Sequence, residues 1–388
     1  MSKLAIIVTH PIQYYAPLFR NLAKELDLMV FYTWSQSQGK VLDKDFGIER
    51  QWDIPLLEGY NFRFINNISK NPGSHHFKGI ITPTLIQEIK NWQADVLLVF
   101  GWNFHSHLQV MRYFKGKLPV IFRGDSTLLD ESRGFSFRKM IRRIALTWVY
   151  RHVDYALYVG KANKAYYLAH GLRENQLIFA PHAIDNERFS VFSEEGKAFV
   201  EGTRKMLGIR PEDSVFLYCG KFYNVKNLPM LIDAFKGIES DSLHLILVGN
   251  GELEDELKRV ASSDHRIHFL PFQNQTLMPA VYRLADVFCL PSVSETWGLA
   301  VNEAMASSRA VLVSDKCGCA ADLVQNGVNG YVFRSDDIED LKDKMQMLIK
   351  QRDRINKYGA ASNKMISRWN FESIRVAITQ LLSSIEKR

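Results

Sequence analysis

Two glutamates and two lysines are the side chains of this 388-residue sequence whose types and spacing best suit chemistry. Glu295 and Glu303 belong to Pro291-Ser-Val-Ser-Glu-Thr-Trp-Gly298-Leu-Ala-Val-Asn-Glu303-Ala-Met-Ala306. The apolar run before it (286–290) reads as a buried strand, and residues 299–307 read as a helix. Eight residues of helix rise about 12 Å. The two carboxylates therefore cannot share one proton, nor flank one bond at the ~5 Å of a retaining glycosidase pair. They can grip opposite ends of one long ligand. Gly298, Leu299 and the N–H groups of a helix start would lie between them, a setting that suits phosphate. The plainer reading makes Glu295 an exposed loop acid and Glu303 a solvated helix acid.

Lys221 and Lys226 stand in Gly220-Lys-Phe-Tyr-Asn-Val-Lys226-Asn, between an apolar run (214–218) and a helical pattern (227–236). Two lysines at a strand's end can meet a diphosphate, each charge-assisted contact adding ~1.5–3 kcal/mol. The spacing is not that of a P-loop, and two solvated loop lysines are the alternative. Gly249-Asn-Gly251 lacks the third glycine of a dinucleotide fingerprint; it reads as a tight turn with room for backbone to approach a ligand. Arg123-Gly-Asp125 ends another apolar run, where an acceptor hydroxyl could be held or a local ion pair formed. His10, after the first run, could bond a phosphate or hydroxyl, or simply open a helix. His105 and His107 would point apart, and Asp43-Lys-Asp45 lies in an irregular loop; neither is read as a metal site.

Strand-like and helical patterns alternate throughout, the mark of parallel α/β folding. Expected strands fall at 4–8, 28–32, 95–100, 119–122, 155–159 and 177–180, then at 214–218, 243–248, 267–270, 286–290, 311–314 and 330–333. Expected helices include 15–26, 84–92 from a Thr84 cap, 161–170, 277–285, 337–350 and 371–385. Length fits two domains. The expectation is two Rossmann-like halves, 1–186 and 187–370, facing across a cleft, with the last helix (371–388) packing back on the first.

No apolar run reaches the ~18 residues of a membrane span, and the first one is short for a signal peptide. The four cysteines read as buried thiols. A cytoplasmic protein is expected, with a peripheral seat at the inner face of the membrane. Residues 1–190 hold 24 Lys and Arg against 16 Asp and Glu, so the whole +7 excess belongs to the first half. Base-stacking and recognition-helix signatures are missing, which argues against nucleic acid. Residues 133–151 interleave Phe, Ile and Trp with paired arginines at near-helical spacing, which suits either an anionic membrane surface or a packed helix with a basic outer face.

Ser294-Glu-Thr-Trp-Gly-Leu-x3-Glu303-Ala-Met-Ala resembles the Glu-x7-Glu motif of retaining glycosyltransferases of family 4, which have the GT-B fold. Gly220-Lys221 with Lys226, Gly249-x-Gly251, Tyr282-x-x-Ala-Asp286 and Asn329-Gly-Tyr-Val-Phe333 resemble further segments of that family. The resemblance implies a sugar moved from a nucleotide-sugar donor, UDP favoured over GDP, to a saccharide or lipid-linked saccharide. Gly220, Lys221 and Lys226 would hold the diphosphate, Glu303 the ribose, and backbone near Phe272 the base. Glu295, Gly298 and Leu299 would meet the sugar and phosphate, the last of the resembling segments would close the nucleotide pocket, and no metal or cofactor is expected. The chain departs from the pattern at His10-Pro-Ile-Gln-Tyr, at Arg123-Gly-Asp125 in place of a strand-end histidine, and at Pro181-His-Ala-Ile-Asp185. Arg123 or Asp125 would take the histidine's catalytic place, with His10 on the acceptor side. A nucleotide-sugar 2-epimerase of the same fold and a non-catalytic nucleotide-binding scaffold stay open.

Overall fold

Apolar runs of four to six residues expose neither face to water only when they pair inside a parallel sheet with helices on both sides. The computed structural model describes residues 2–35, 41–43, 48–50, 52–131, 134 and 136–387, and it arranges the runs in this way. The strands in chain order are β1 (Leu4–Val8), β2 (Leu28–Tyr32), β3 (Val41–Asp43), β4 (Ile48–Arg50), β5 (Asn61–Phe64), β6 (Val96–Phe100), β7 (Val120–Arg123), β8 (Tyr155–Tyr158) and β9 (Leu177–Phe179). They continue as β10 (Ser214–Cys219), β11 (Leu243–Val248), β12 (Ile267–Leu270), β13 (Val287–Leu290), β14 (Ala310–Ser314) and β15 (Gly330–Phe333). β3 and β4 form a separate two-stranded pair; Lys44 and Asp45 of the early acidic motif lie outside the described residues.

The chain divides into two compact units: Met1–Val41 with Arg50–Pro181 and Phe371–Arg388, and Leu42–Glu49 with His182–Asn370. The main division falls at Pro181–His182 rather than after residue 186. His182, Ala183 and Ile184 are buried, and Asn302 Nδ2 of the second unit donates to the His182 carbonyl at 2.9 Å.

The first unit's seven strands run in the order β5-β2-β1-β6-β7-β8-β9, all parallel. β1 and β6 lie at its centre and are buried along their whole length. The closing helix, Phe371–Glu386, packs on β9 and on the helix Ala16–Leu22. Arg375 fastens it by pairing with Glu25 and Glu372.

The second unit's six strands run β12-β11-β10-β13-β14-β15, again all parallel. Helices that go unseen from the sequence include His105–Phe114, Glu194–Met206 and Ile355–Ile366. The helix Glu194–Met206 is capped by Ser193, whose hydroxyl accepts from the Gly196 N–H. Conversely, Thr84 precedes its helix, Leu85–Asn91, without a side-chain cap.

Candidate active site

In the second sheet, β10 has β11 on one side and β13 on the other, so strand order reverses between β10 and β13. Crossover helices leave opposite faces at such a point, and the strands' carboxyl ends open a crevice there. The loop after β10 carries Lys221 and Lys226; the loop after β13 carries Glu295 and leads into the helix that holds Glu303.

The β10 loop is built on glycine. Gly220 has φ +149°, and a Cβ on Gly249 would lie 2.0 Å from the Gly220 carbonyl oxygen. A Cβ on Gly251 would meet the Phe222 backbone at 2.6 Å. The Gly249-Asn-Gly251 turn is thus required by loop pressing on loop, sealed by the Phe222 N–H donating to the Asn250 carbonyl at 2.9 Å. Lys221 follows, with its ammonium 5.6 Å from the Tyr223 ring centroid. One 3-10 turn, Asn224–Lys226, then brings Lys226 round.

Two contacts join this loop to the β13 loop. The Val293 N–H donates to the Val225 carbonyl at 2.9 Å, and the Lys226 ammonium pairs with Glu295 Oε2. Both side chains are about four-fifths buried, at 21% and 18% exposure, so Glu295 is not an exposed loop acid and Lys226 not a freely solvated lysine. The loop after β14 braces Glu295 from the other side. The Glu295 N–H donates to the Lys316 carbonyl at 3.2 Å, and the Gly318 N–H to the Glu295 carbonyl at 3.0 Å.

Gly298 then turns the chain at φ +96° into the helix Leu299–Ala306, whose first turn is closed by the Val301 N–H donating to the Gly298 carbonyl at 2.9 Å. A Cβ at Gly298 would lie 2.7 Å from Leu290. Trp297 does not face a ligand. It is buried, donates from Nε1 to Asn302 Oδ1 at 2.9 Å, and its ring lies 5.2 Å from that of Trp369.

Glu303 is 3% exposed, so it is a buried acid of this site rather than a solvated one. Tyr282 Oη donates to its Oε2 at 2.6 Å. The Cys219 thiol, last residue of β10, is pushed well up in pKa by burial and hydrogen-bonds the same tyrosine. Tyr282 is the residue the sequence reading assigned no role. Its signal was position, one turn before Asp286 on the helix that leads into β13.

Phe272 stands just past β12, half-buried, on the same carboxyl edge. Asn329 and Gly330 do not. Gly330 pairs with Val311 at the start of β14, the amino edge of the sheet, where a Cβ would sit 1.8 Å from the Val311 carbonyl oxygen. Of the segment expected to close a nucleotide pocket, the start is therefore a structural turn, and β15 carries the rest up to Phe333, which pairs with Ser314 at the carboxyl end of β14. Asn329 Nδ2 holds that turn by donating to the Leu323 carbonyl at 2.9 Å.

The first unit has its own reversal, between β1 and β6. His10 follows β1, its Nδ1 3.0 Å from Thr9 Oγ1 and its ring edge-on to Trp34 at 5.4 Å. Burial lowers its pKa to about 4. Arg123 ends β7 and is 3% exposed. Its guanidinium donates to the carbonyls of Ala180 and Pro181, each at 2.9 Å. The catalytic role expected for Arg123 is revised accordingly: the side chain ties down the segment after β9. Asp125, two residues on, lines a cavity of about 500 Å³ with Trp102 and Arg142. Among the described residues, no group of three or more His, Cys, Asp and Glu side chains is placed to hold a metal ion.

Residues 200–365 match the family model described as glycosyl transferases group 1. The D-inositol 3-phosphate glycosyltransferase of Nocardia farcinica is 29% identical over 168 residues, 40% of this chain and 37% of its own length. The sulfoquinovosyl transferase SQD2 of Arabidopsis thaliana is 22% identical over 314 residues, 78% of this chain and 58% of its own. These matches thus span roughly a third to just over half of the curated relatives' own lengths. Among solved structures, Anabaena Alr3699/HepE in complex with UDP superposes with TM-score 0.75 at 18% identity, covering 99% of this chain and 100% of that one. Sucrose-phosphate synthase from Thermosynechococcus elongatus gives 0.74 at 16% identity, with 100% of both chains covered. The fold is GT-B, two parallel-sheet α/β units.

Proposed function

We propose that the chain is a retaining glycosyltransferase that moves a sugar from a nucleotide-sugar donor to a saccharide or lipid-linked saccharide. The observation that carries this reading is the Lys226–Glu295 pair at the β10/β13 reversal. In the absence of donor, two oppositely charged groups hold each other at a strand-end crevice. A diphosphate offers Lys226 a better partner and releases Glu295 to the donor sugar's hydroxyls. Lys221 and the helix start at Leu299 add positive charge where negative charge develops on the departing group. Glu303, held by Tyr282, takes the ribose hydroxyls, and backbone near Phe272 takes the base. UDP is the favoured base carrier, an inference supported by the UDP complex of the Anabaena neighbour.

The C1–oxygen bond to the diphosphate breaks, and the acceptor hydroxyl forms its bond to C1 on the same face. The acceptor proton passes to the departing phosphate oxygen, and nucleoside diphosphate leaves. The lysines and the helix dipole do the work a metal ion would otherwise do on the leaving group. Asp125 orients the acceptor hydroxyl.

The test is incubation with UDP-, GDP- and ADP-sugars, with and without a membrane lipid extract and with EDTA throughout, following free nucleotide and the anomeric configuration of the product. Acceptor-dependent nucleotide release with retention supports transfer. Conversion of the donor without acceptor supports an epimerase, and tight UDP binding with neither supports a scaffold. Retained turnover in Asp125→Asn alongside lost turnover in Glu295→Ala removes Asp125 from the reaction.

A further inference from the structure

Glu295 lies in the loop between β13 and the helix Leu299–Ala306, so side chains rather than a regular element must hold its backbone still. Trp297, two residues on, is the largest of them. It is 2% exposed, and its ring packs on those of Trp369 at 5.2 Å and His182 at 5.9 Å. Its carbonyl accepts from the Cys319 N–H at 3.1 Å. A Cβ on Gly318 would lie 1.9 Å from the Thr296 carbonyl oxygen, so the loop after β14 presses on the same segment.

Asn302, one residue before Glu303, completes the arrangement from inside the helix. Nothing of it is exposed. Its Oδ1 accepts from Trp297 Nε1 and its Nδ2 donates to the His182 carbonyl, each at 2.9 Å. An indole N–H only donates and a carbonyl only accepts, so the amide has a single orientation here. Leucine would match the volume and leave both partners buried without a bond; aspartate would lack the donor. The residue type answers to a bridge, not to core packing.

The far side of that bridge is itself fixed. His182 is the first residue of the second unit, and Trp369 its last but one. The Ala180 and Pro181 carbonyls take the Arg123 guanidinium, so three successive carbonyls accept from buried side chains. Asn186 Nδ2 donates to the carbonyls of Ile366 and Trp369 at 3.0 and 3.1 Å. Both ends of the second unit's chain are therefore anchored where Trp297 packs.

We infer that Asn302 and Trp297 are positioning residues that fasten the Glu295 loop to the two ends of the second unit, so that Glu295 can leave Lys226 for a donor sugar without moving its backbone. This rests on the glycosyl-transfer reading, in which a diphosphate takes Lys226 away. Trp297 acts through the Glu295 backbone, and Asn302 acts through Trp297. A misplacement of about 1 Å at a reacting group costs roughly a hundredfold in rate, so a loose loop should show in turnover before it shows in binding.

The full chain is labelled with 5-fluorotryptophan, and the Trp297 fluorine line is assigned by its loss in Trp297→Phe. In the wild type that line should be single and narrow, with and without UDP. In Asn302→Leu it should broaden or split, while a cooperative thermal transition shows that the variant is folded. UDP affinity by calorimetry should stay within about threefold, because Lys226 and Glu303 keep their own contacts. The kcat with the nucleotide sugar that the panel identifies should fall about tenfold to a hundredfold. Trp297→Phe, which keeps a ring in the stack, should lose about tenfold. Since both residues act on one loop, the double variant should be within about twofold of the poorer single variant. A lowered thermal midpoint with wild-type kcat marks a merely structural role and overturns the proposal. So does a Trp297 line as narrow in Asn302→Leu as in the wild type, or single losses that multiply in the double variant. If Asn302→Leu does not fold, Trp297→Phe carries the kinetic test, and wild-type kcat there overturns the proposal. If the wild type turns over no nucleotide sugar, the transfer reading fails, while the fluorine line still upholds or overturns the hold of Asn302 on Trp297.

Discussion

Both units place their sheets in one order, with a third, second and first strand followed by the fourth, fifth and sixth, and in the first unit β9 as a seventh, yet their reversal points are filled in different ways. Between β10 and β13 stand ionised groups held in pairs, Lys226 with Glu295, and a buried acid held by Tyr282. Between β1 and β6 stand His10, whose pKa burial lowers to about 4, and aromatic rings such as Tyr15 and Phe100, 4.8 Å apart. One crevice keeps its charges paired at a desolvation cost; in the other, burial holds His10 neutral, with Asp125 and Arg123 near Tyr15. A highly charged, chemically constant ligand such as a nucleoside diphosphate suits the first. A neutral saccharide suits the second, where apolar faces and a few hydrogen bonds select. The same backbone topology thus supports two kinds of recognition because only the strand-end loops differ.

The largest effect that could break this contrast is at Lys226. Lys226→Ala removes a charge-assisted contact to the diphosphate and leaves Glu295 without its partner. UDP affinity should fall roughly tenfold to a hundredfold, and kcat/KM by somewhat more, since the same contact strengthens as the phosphate leaves. His10→Ala in the other crevice should leave UDP affinity within about twofold. Calorimetric titration of both variants with UDP decides it. Comparable losses in both would mean that charge placement does not separate the two crevices.

Acid titration probes the first unit next. His107 is fully buried. Its Nδ1 donates to the carbonyls of Phe100 and Gly101 at 3.1 and 3.0 Å, which leaves Nε2 to accept from Thr33 Oγ1 at 2.9 Å. Burial lowers its pKa to about 4. A depressed histidine contributes its full stability above the unfolded value, about 6.5. That stability is lost as pH falls from there towards 4, because the unfolded chain takes up the proton first. The difference amounts to at most about 3 kcal/mol. The thermal midpoint should therefore drop between pH 6.5 and 4, and His107→Gln should flatten that part of the curve. A profile identical in the variant would show that His107 is not the titrating group. His10 and, in the second unit, His268, both also lowered to about 4 by burial, add to the slope.

What could be read without coordinates divides along the same line. β1 and β2 matched their expected limits because five-residue apolar runs buried on both faces have no other use. The donor-side residues were legible because glycine, lysine and glutamate punctuate strand ends at short range. The Lys226–Glu295 pairing was not legible, since 69 residues separate its members and only the strand order brings them together. Arg123 was misread for a related reason: its carbonyl partners lie 57 and 58 residues on, and a charged strand end looks alike whether it faces a ligand or clamps backbone. The helix His105–Phe114 has Leu108, Met111 and Phe114 at helical spacing, but it is only ten residues long and its start, His105-Ser-His107, is polar yet buried at Ser106 and His107, which breaks the apolar period. Gly330 shows the limit of local motifs. Segment 329–333 resembled one that closes a nucleotide pocket, but parallel register sets its Gly330 at the amino edge of the sheet, beside Val311.

The smallest expected effect concerns how the second crevice keeps its buried acid in place. Tyr282→Phe removes one hydroxyl, the donor to Glu303 Oε2, and leaves the ring in a site where it packs edge-on against Phe288 at 5.5 Å and Phe189 at 5.9 Å. A fold defect is not expected, because no volume beyond one oxygen changes. Losing one hydrogen bond to a charged acceptor corresponds to roughly 1.5–3 kcal/mol at most, and the carboxylate can recover part of it from the ribose. The KM for the nucleotide sugar should therefore rise about threefold to tenfold while kcat changes less than about twofold, since the ribose is bound alike in ground and transition states. A nucleotide analogue lacking the ribose hydroxyls should bind wild type and variant equally. If Tyr282→Phe instead lowered kcat at unchanged KM, Glu303 would act at the reacting carbon. The division of labour between Glu295 on the sugar and Glu303 on the ribose would then be reversed.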